Sequence, residues 1–330
     1  MEKILKIGII GCGAIGKDHC RRIMDTVPGA TVVAVSDYVP AAADAVAEKY
    51  GIRSFGNDCD GMIKDPEVEA VVITSIDPTH HDYVMKTLTE KKWCFCEKPL
   101  SLNGKDCEEI INKELEIGHR LVQVGFMRRY DRGYAEMKRI IESGELGAPL
   151  VIKACHRNVS QGPGFKTENA VTNVAIHELD ICRWLLGENL NEVAVRFPRA
   201  TCFAEGTCQD PQLVLMQSDS GVLIDVEVSG NSYYGYEILC ELVCEKGTIR
   251  LPVAAEPIVR SYLQCGQAIP EDWTNRFVVA YQEELQHWVD FLQGKTDVPG
   301  PGAEDGYEAC KISDALIKAQ TTGQWETVEA

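Results

Sequence analysis

The chain has 330 residues, 45% of them apolar and 25% charged, which exceeds a typical single domain of roughly 100–200 residues and excludes the low-hydrophobicity signature of disorder. A formal net charge of -17 disfavours phosphate backbones and anionic lipid surfaces as partners, so neither nucleic acid nor membrane is expected. The opening MEKILKIGIIGCGAIG runs straight into a glycine motif without a small-residue cleavage site, and no later stretch reaches the roughly 18 apolar residues of a membrane span, so a cytoplasmic protein is expected.

In chain order, short β-rich runs at residues 4–10, 31–36, 70–74, 93–96 and 121–124 alternate with segments of three- and four-residue apolar spacing at 40–50, 80–90 and 105–118. That alternation predicts an α/β domain over residues 1–125, with a doubly wound parallel sheet covered by helices on both faces. After Gly125 the rhythm changes. A helix at 133–143, a run at 150–155, a loop rich in Gly, Asn and Ser and a second helix precede strand-like runs at 213–216, 222–228, 236–243 and 248–251. Strands without intervening long helices predict a second, α+β domain over residues 126–330, built on a large, mainly antiparallel sheet and closed by helices at 275–293 and 303–320. The fourteen cysteines are scattered, with no CxxC pair and no Cys/His cluster at zinc spacing, so no metal and mostly structural, reduced thiols are expected.

Gly11-Cys12-Gly13-Ala14-Ile15-Gly16 ends the first predicted strand and opens a helix, the context in which GxGxxG marks a Rossmann dinucleotide site. Gly11 permits the tight turn, Gly13 lets the backbone approach a pyrophosphate, and Gly16 lets helix and strand pack closely. Asp37, 21 residues after Gly16 at the end of the second strand, suits the ribose hydroxyls; Tyr38-Val39-Pro40 offers no arginine for a 2′-phosphate. NAD is therefore expected over NADP.

Glu97-Lys98-Pro99 follows the fourth long strand, where side chains open onto the cofactor crevice and a lysine could orient a hydroxyl. Alone, Lys98 reads equally well as a solvated surface lysine. Further on, Asn173, His177, Asp180 and Trp184 follow one another at spacings of four, three and four, a polar stripe on one face of a helix starting near Thr172 or Asn173. The alternatives are a structural histidine bonded to Asp180, or a metal held with Glu178; Glu178 points off the stripe, and no HExxH is present.

The glycine motif, Glu97-Lys98-Pro99, the HExD segment at 177–180 and the two-domain plan resemble the glucose–fructose oxidoreductase / inositol dehydrogenase family. The segments Gly125-Phe126-Met127-Arg128-Arg129-Tyr130-Asp131, Ala154-Cys155-His156-Arg157-Asn158, Tyr234-Gly235-Tyr236-Glu237 and residues 272–281 are most similar to its inositol-oxidising members. The resemblance covers nearly the whole chain. It implies NAD-dependent oxidation of a secondary hydroxyl on a cyclitol, myo-inositol or scyllo-inositol, with Lys98, His177 and Asn173 in catalysis and His177 receiving the proton. It further implies cofactor contacts from Gly11, Gly13, Ala14, Ile15, Gly16, Asp37, Glu97 and Lys98, and a polyol pocket lined by Arg128, His156, Asn158, Asp180, Tyr236 and Tyr281. A homotetramer is also implied.

Two positions depart from that pattern. Asn173 stands where the family carries an aspartate, and an amide orients a hydroxyl without holding a charge. The stretch Ser75-Ile76-Asp77-Pro78-Thr79-His80 lacks the tryptophan of close relatives. A pyranose dehydrogenase of the same family and a non-catalytic NAD-binding sensor are the rival readings. Arg128 paired with Asp131 on the surface, and tyrosines serving only the core, are the structural rivals.

Overall fold

The computed structural model describes residues 3–252 and 257–329, and the chain divides into two compact units, Met1–Phe126 with Tyr281–Cys310, and Met127–Ala280 with Lys311–Ala330.

In the first unit, β1 (Leu5–Ile10), α1 (Ala14–Asp25), β2 (Ala30–Ser36), α2 (Pro40–Tyr50), β3 (Arg53–Ser54), α3 (Cys59–Lys64), β4 (Ala70–Ile73), α4 (His80–Thr89), β5 (Trp93–Glu97), α5 (Gly104–Ile117) and β6 (Val122–Gly125) follow in order. The strands lie in the order β3-β2-β1-β4-β5-β6, and every pair is parallel. Both faces of such a sheet are covered, so β4 reads as the unbroken apolar run Ala70-Val71-Val72-Ile73, buried throughout. The strand order reverses between β1 and β4, and that switch point opens a crevice at the carboxyl ends of the strands. Residues at those ends are therefore placed to meet a ligand.

The expected boundary after residue 125 coincides with the end of β6, but the second domain does not keep both closing helices. Most of α8 (Val278–Leu292) and the start of α9 (Ala303–Thr322) belong to the first unit. The reason is apolar burial: Leu285, Trp288 and Val289 of α8 share one core cluster with Ile7, Ile9, Val32, Val72 and Phe95.

The second unit holds α6 (Arg132–Ser143), β7 (Pro149–Arg157), α7 (Ile176–Leu186), β8 (Leu190–Arg196), β9 (Gln212–Ser218), β10 (Leu223–Ser229), β11 (Glu237–Cys244), β12 (Gly247–Arg250), the hairpin β13 (Ile258–Ser261) and β14 (Gln264–Gln267), and β15 (Glu326–Thr327). Its seven-stranded sheet has the order β12-β11-β7-β10-β9-β8-β15, antiparallel except where β10 runs parallel to β7 with Ile224 beside Ile152. Strand β9 alternates buried Gln212, Val214, Met216 and Ser218 with half-exposed Leu213, Leu215 and Gln217. One face of the sheet is thus packed and the other is not.

All fourteen cysteines are free, twelve of them buried and only Cys202 and Cys265 exposed, so most of them pack in the interior. Burial pushes the Cys12 and Cys240 thiols up to about 12, far from the thiolate that reacts. No helix among the described residues is long and apolar enough to cross a membrane.

Candidate active site

In the first unit the glycine loop joins β1 to α1. Gly11 has φ +98°, and a Cβ there would stand 2.5 Å from the backbone of Thr74, while a Cβ on Gly16 would stand 2.0 Å from the Gly11 carbonyl oxygen. These two glycines are demanded by the protein itself. Gly13 differs, because a Cβ on it would meet nothing within 4 Å. It caps α1 without any side-chain hydrogen bond, and the first turn carries no acidic residue. Gly13 and Ala14 are thus exposed at the positive end of a helix, where first-turn amides form a cradle suited to a pyrophosphate.

Asp37 stands just past β2, half-buried. One of its oxygens accepts the Cys12 amide at 2.5 Å and the other the Val39 amide at 2.8 Å. Each carboxylate oxygen keeps a further lone pair, enough for two ribose hydroxyls. Tyr38 beside it is 90% exposed, and no cation stands at 38–40 to receive a 2′-phosphate. The donor set fits NAD.

Lys98, half-buried, follows the last residue of β5 and precedes Pro99 across a cis peptide. Buried Glu97 turns away from solvent: its Oε1 lies 2.7 Å from Nε2 of His19 on α1, and its Oε2 accepts the Lys98 amide at 3.3 Å. The loops after β4 and β5 are joined by His80, whose Nδ1 lies 2.6 Å from the Pro99 carbonyl and Nε2 3.0 Å from that of Ser75. Within the stretch that lacks the tryptophan, Ile76 is 71% exposed, an apolar side chain on a loop at the carboxyl end of β4.

In the second unit the helix at 173–187 departs from expectation. Ala170–Val174 form a π-helical turn, closed by the bond from the Ala175 amide to the Ala170 carbonyl at 2.8 Å, and α7 proper begins at Ile176. The inserted residue in that turn shifts the helical register ahead of His177. Nor is one face solvated: His177, Glu178, Leu179, Asp180, Ile181 and Cys182 are all buried.

Charges in the buried first two turns of a helix must be paired, and Glu178 and Asp180 of α7 are. Glu178 meets Arg128 through its Oε1 and His156 Nδ1, at 3.0 Å, through its Oε2. Arg128 is 1% exposed, lies over the Phe277 ring at 5.7 Å and has its terminal nitrogen 3.1 Å from His156 Nδ1. Burial works against the Glu178 carboxylate, but Arg128 and His156 outweigh it and hold its pKa below the usual range. Tyr236 stands edge-on to His156 at 5.8 Å, and His177 tilts against the same imidazole at 6.1 Å. Burial pushes the Tyr236 phenol up to about 12, so it stays a neutral donor. Asp180 is gripped by Arg129, with the guanidinium Nε at 3.0 Å.

The second unit thus gathers Arg128, His156, His177 and Tyr236. Asn158 continues from β7 with its amide bonded to the Ser229 carbonyl at 2.9 Å. Tyr281, expected with them, packs in the first unit against His19 at 5.7 Å and beneath Arg22 at 5.5 Å. The surface pairing of Arg128 with Asp131 does not occur: Asp131 caps α6 and binds Arg276 at 2.6 Å. Asp180 likewise pairs with Arg129. Glu178, which helical spacing places off the stripe, is the hub of the cluster, and no motif points to His19. For Glu178 the one signal available is a charged residue inside the mainly apolar run of α7; His19 sits among charged residues in α1 and carries no such signal. Among the described residues no group of three or more His, Cys, Asp or Glu side chains could hold a metal ion.

Comparison with known proteins accords with both units. Residues 5–126 match the model of an "Oxidoreductase family, NAD-binding Rossmann fold" and residues 134–250 that of a "GFO/IDH/MocA C-terminal domain". Inositol 2-dehydrogenase of Ralstonia nicotianae is 44% identical over 327 residues, 98% of this chain and 96% of that protein. Myo-inositol dehydrogenase from Lactobacillus casei, solved in complex with NAD(H) and myo-inositol, superposes with a TM-score of 0.94 at 33% identity, covering 99% of this chain and 97% of that one. Apo scyllo-inositol dehydrogenase from the same organism gives 0.90 at 25% identity, covering 100% of each.

Proposed function

This chain belongs to the GFO/IDH/MocA family of NAD-binding oxidoreductases, and from that premise we propose that it oxidises a secondary hydroxyl of a cyclitol, myo-inositol or scyllo-inositol, to the ketone. The observation that carries the reading is the 44% identity to an inositol 2-dehydrogenase across both units, in a chain that keeps the open Gly13 cradle and the buried Arg128–Glu178–His156 cluster.

NAD, when bound at the glycine loop, supplies the acceptor for the hydride leaving the carbinol carbon. Asp37 accepts hydrogen bonds from the adenosine ribose, and the amides of Gly13, Ala14, Ile15 and Gly16 meet the pyrophosphate. The Lys98 ammonium donates to the reacting hydroxyl and orients it. His177 accepts the hydroxyl proton as general base, a role that contributes roughly 10²–10⁴-fold in rate. Asn173 orients the substrate through its amide. Arg128, His156, Asn158, Asp180, Tyr236 and Tyr281 serve the remaining hydroxyls, a mixture of donors and acceptors that rejects an analogue lacking one of them.

The test is NADH formation with inositol isomers and hexoses. Turnover of myo- or scyllo-inositol with NAD in preference to NADP is expected; clear hexose oxidation with every inositol inert rejects the reading in favour of a pyranose dehydrogenase. Lys98→Ala is expected to lower kcat by about 10²-fold or more while NAD affinity changes little, and an active variant would remove Lys98 from the mechanism. The proposal extends to a homotetramer working in the cytoplasm, supported by the half-exposed Leu213 and Leu215 on the uncovered face of the second sheet.

A further inference from the structure

We infer that His19 is a positioning residue for Lys98, acting through Glu97: the bond from imidazole to carboxylate fixes the end of β5 and with it the ammonium that follows. The inference rests on the dehydrogenase reading above.

His19 comes three residues after the last glycine of the loop, inside α1, and is fully buried. Its Nε2 lies 2.7 Å from Glu97 Oε1. The ring is flanked by Phe95, edge-on at 5.8 Å, and by Tyr281 at 5.7 Å. The second Glu97 oxygen accepts the backbone amide of Lys98 itself at 3.3 Å. From the far side β6 leaves room through Gly125, where a Cβ would stand 3.0 Å from the Glu97 carboxyl carbon. The carboxyl group is therefore held by α1 and by its neighbour's amide, with β6 packed closely against it at Gly125.

Core packing alone does not account for an imidazole here. His19 Nδ1 is buried with no hydrogen-bond partner among the described residues, and an apolar side chain of similar size would fill the volume without that cost. What the imidazole adds is the contact to Glu97. Since α1 also presents its N-terminal amides to the cofactor cradle, one rigid helix registers both the dinucleotide and the lysine.

The experiment compares wild type, His19→Leu, His19→Gln, Lys98→Ala and the His19→Leu/Lys98→Ala double variant, in steady-state turnover of whichever inositol the wild type oxidises with NAD. His19→Leu is expected to lower kcat about tenfold while KM for NAD moves less than about threefold; His19→Gln, whose amide can donate to the same oxygen, is expected to recover most of the loss. In the Lys98→Ala background the same His19→Leu change is expected to cost less than about twofold, because no ammonium remains to be misplaced. Equal losses in the two backgrounds overturn the inference, as does an unchanged kcat. Should His19→Leu fail to fold because Glu97 is left buried and unpaired, His19→Leu/Glu97→Leu removes both polar ends and is expected to fold with kcat as depressed; wild-type turnover by that variant overturns the inference. Absence of NAD reduction by the wild type with every inositol and every hexose sinks the dehydrogenase reading and this inference with it, whereas wild-type oxidation with unimpaired His19→Leu sinks this inference alone.

Discussion

At Glu178 a carboxylate sits in the protein interior because Arg128 and His156 meet its two oxygens. Burial acts to neutralise it, and the Arg128 charge prevails and keeps its pKa below the usual value. A depressed carboxylate contributes stability that is present above the unfolded value near ~4.3 and is lost as pH falls through the lower folded value. The wild-type melting temperature is therefore expected to drop as pH is lowered from about 5 toward 3. Glu178→Gln would leave Arg128 buried without its counter-charge, a loss of about 3–5 kcal/mol in urea unfolding at pH 7, and the acid slope of Tm would flatten. A variant as stable as wild type would show that the guanidinium finds solvent or another partner. This pairing is illegible in the sequence for a plain reason: Arg128 and Glu178 lie 50 residues apart, and helical spacing speaks only of neighbours a turn away.

Among the elements, the parallel sheet and its helices are the most readable. Strict alternation of β-rich runs with three- and four-residue spacing brings α2 to Pro40–Tyr50, the predicted 40–50, and β4 to Ala70–Ile73. The π-helical turn at Ala170–Val174 escapes, because an inserted residue within a helix leaves the composition unchanged and shifts only the register. The glycine loop is legible as a motif, but the motif does not say which glycines the fold requires and which the ligand requires. The open space that a Gly13 Cβ would enter, against the 2.0 Å that would separate a Gly16 Cβ from the Gly11 carbonyl oxygen, distinguishes them. Gly13→Ala is expected to leave the melting temperature near wild type and to weaken NAD binding by about tenfold or more in calorimetric titration. Gly16→Ala is expected to lower the melting temperature as well as the affinity, since strand and helix must part. A stable Gly16→Ala with full affinity would contradict the close packing described for the loop.

For the whole molecule, the second sheet raises the question of what covers its other face. Arg157 crosses that sheet to Glu227 at 2.8 Å and Glu237 at 2.6 Å, and Leu213 and Leu215 alternate toward the less buried side of β9. Light scattering is expected to give a tetramer, and Leu215→Asp to shift it toward smaller species; a monomeric wild type would dismiss the assembly. The division of the chain carries a further consequence. Leu285, Trp288 and Val289 complete the core that Ile7, Ile9 and Phe95 begin, so a nascent chain leaving the ribosome cannot seal its first unit when residue 126 emerges. Apolar surface waits until α8 has been synthesised, and the intervening segment must fold or wait meanwhile. A fragment ending at 126 is accordingly expected to be sticky and chaperone-dependent, although it contains every strand of the parallel sheet.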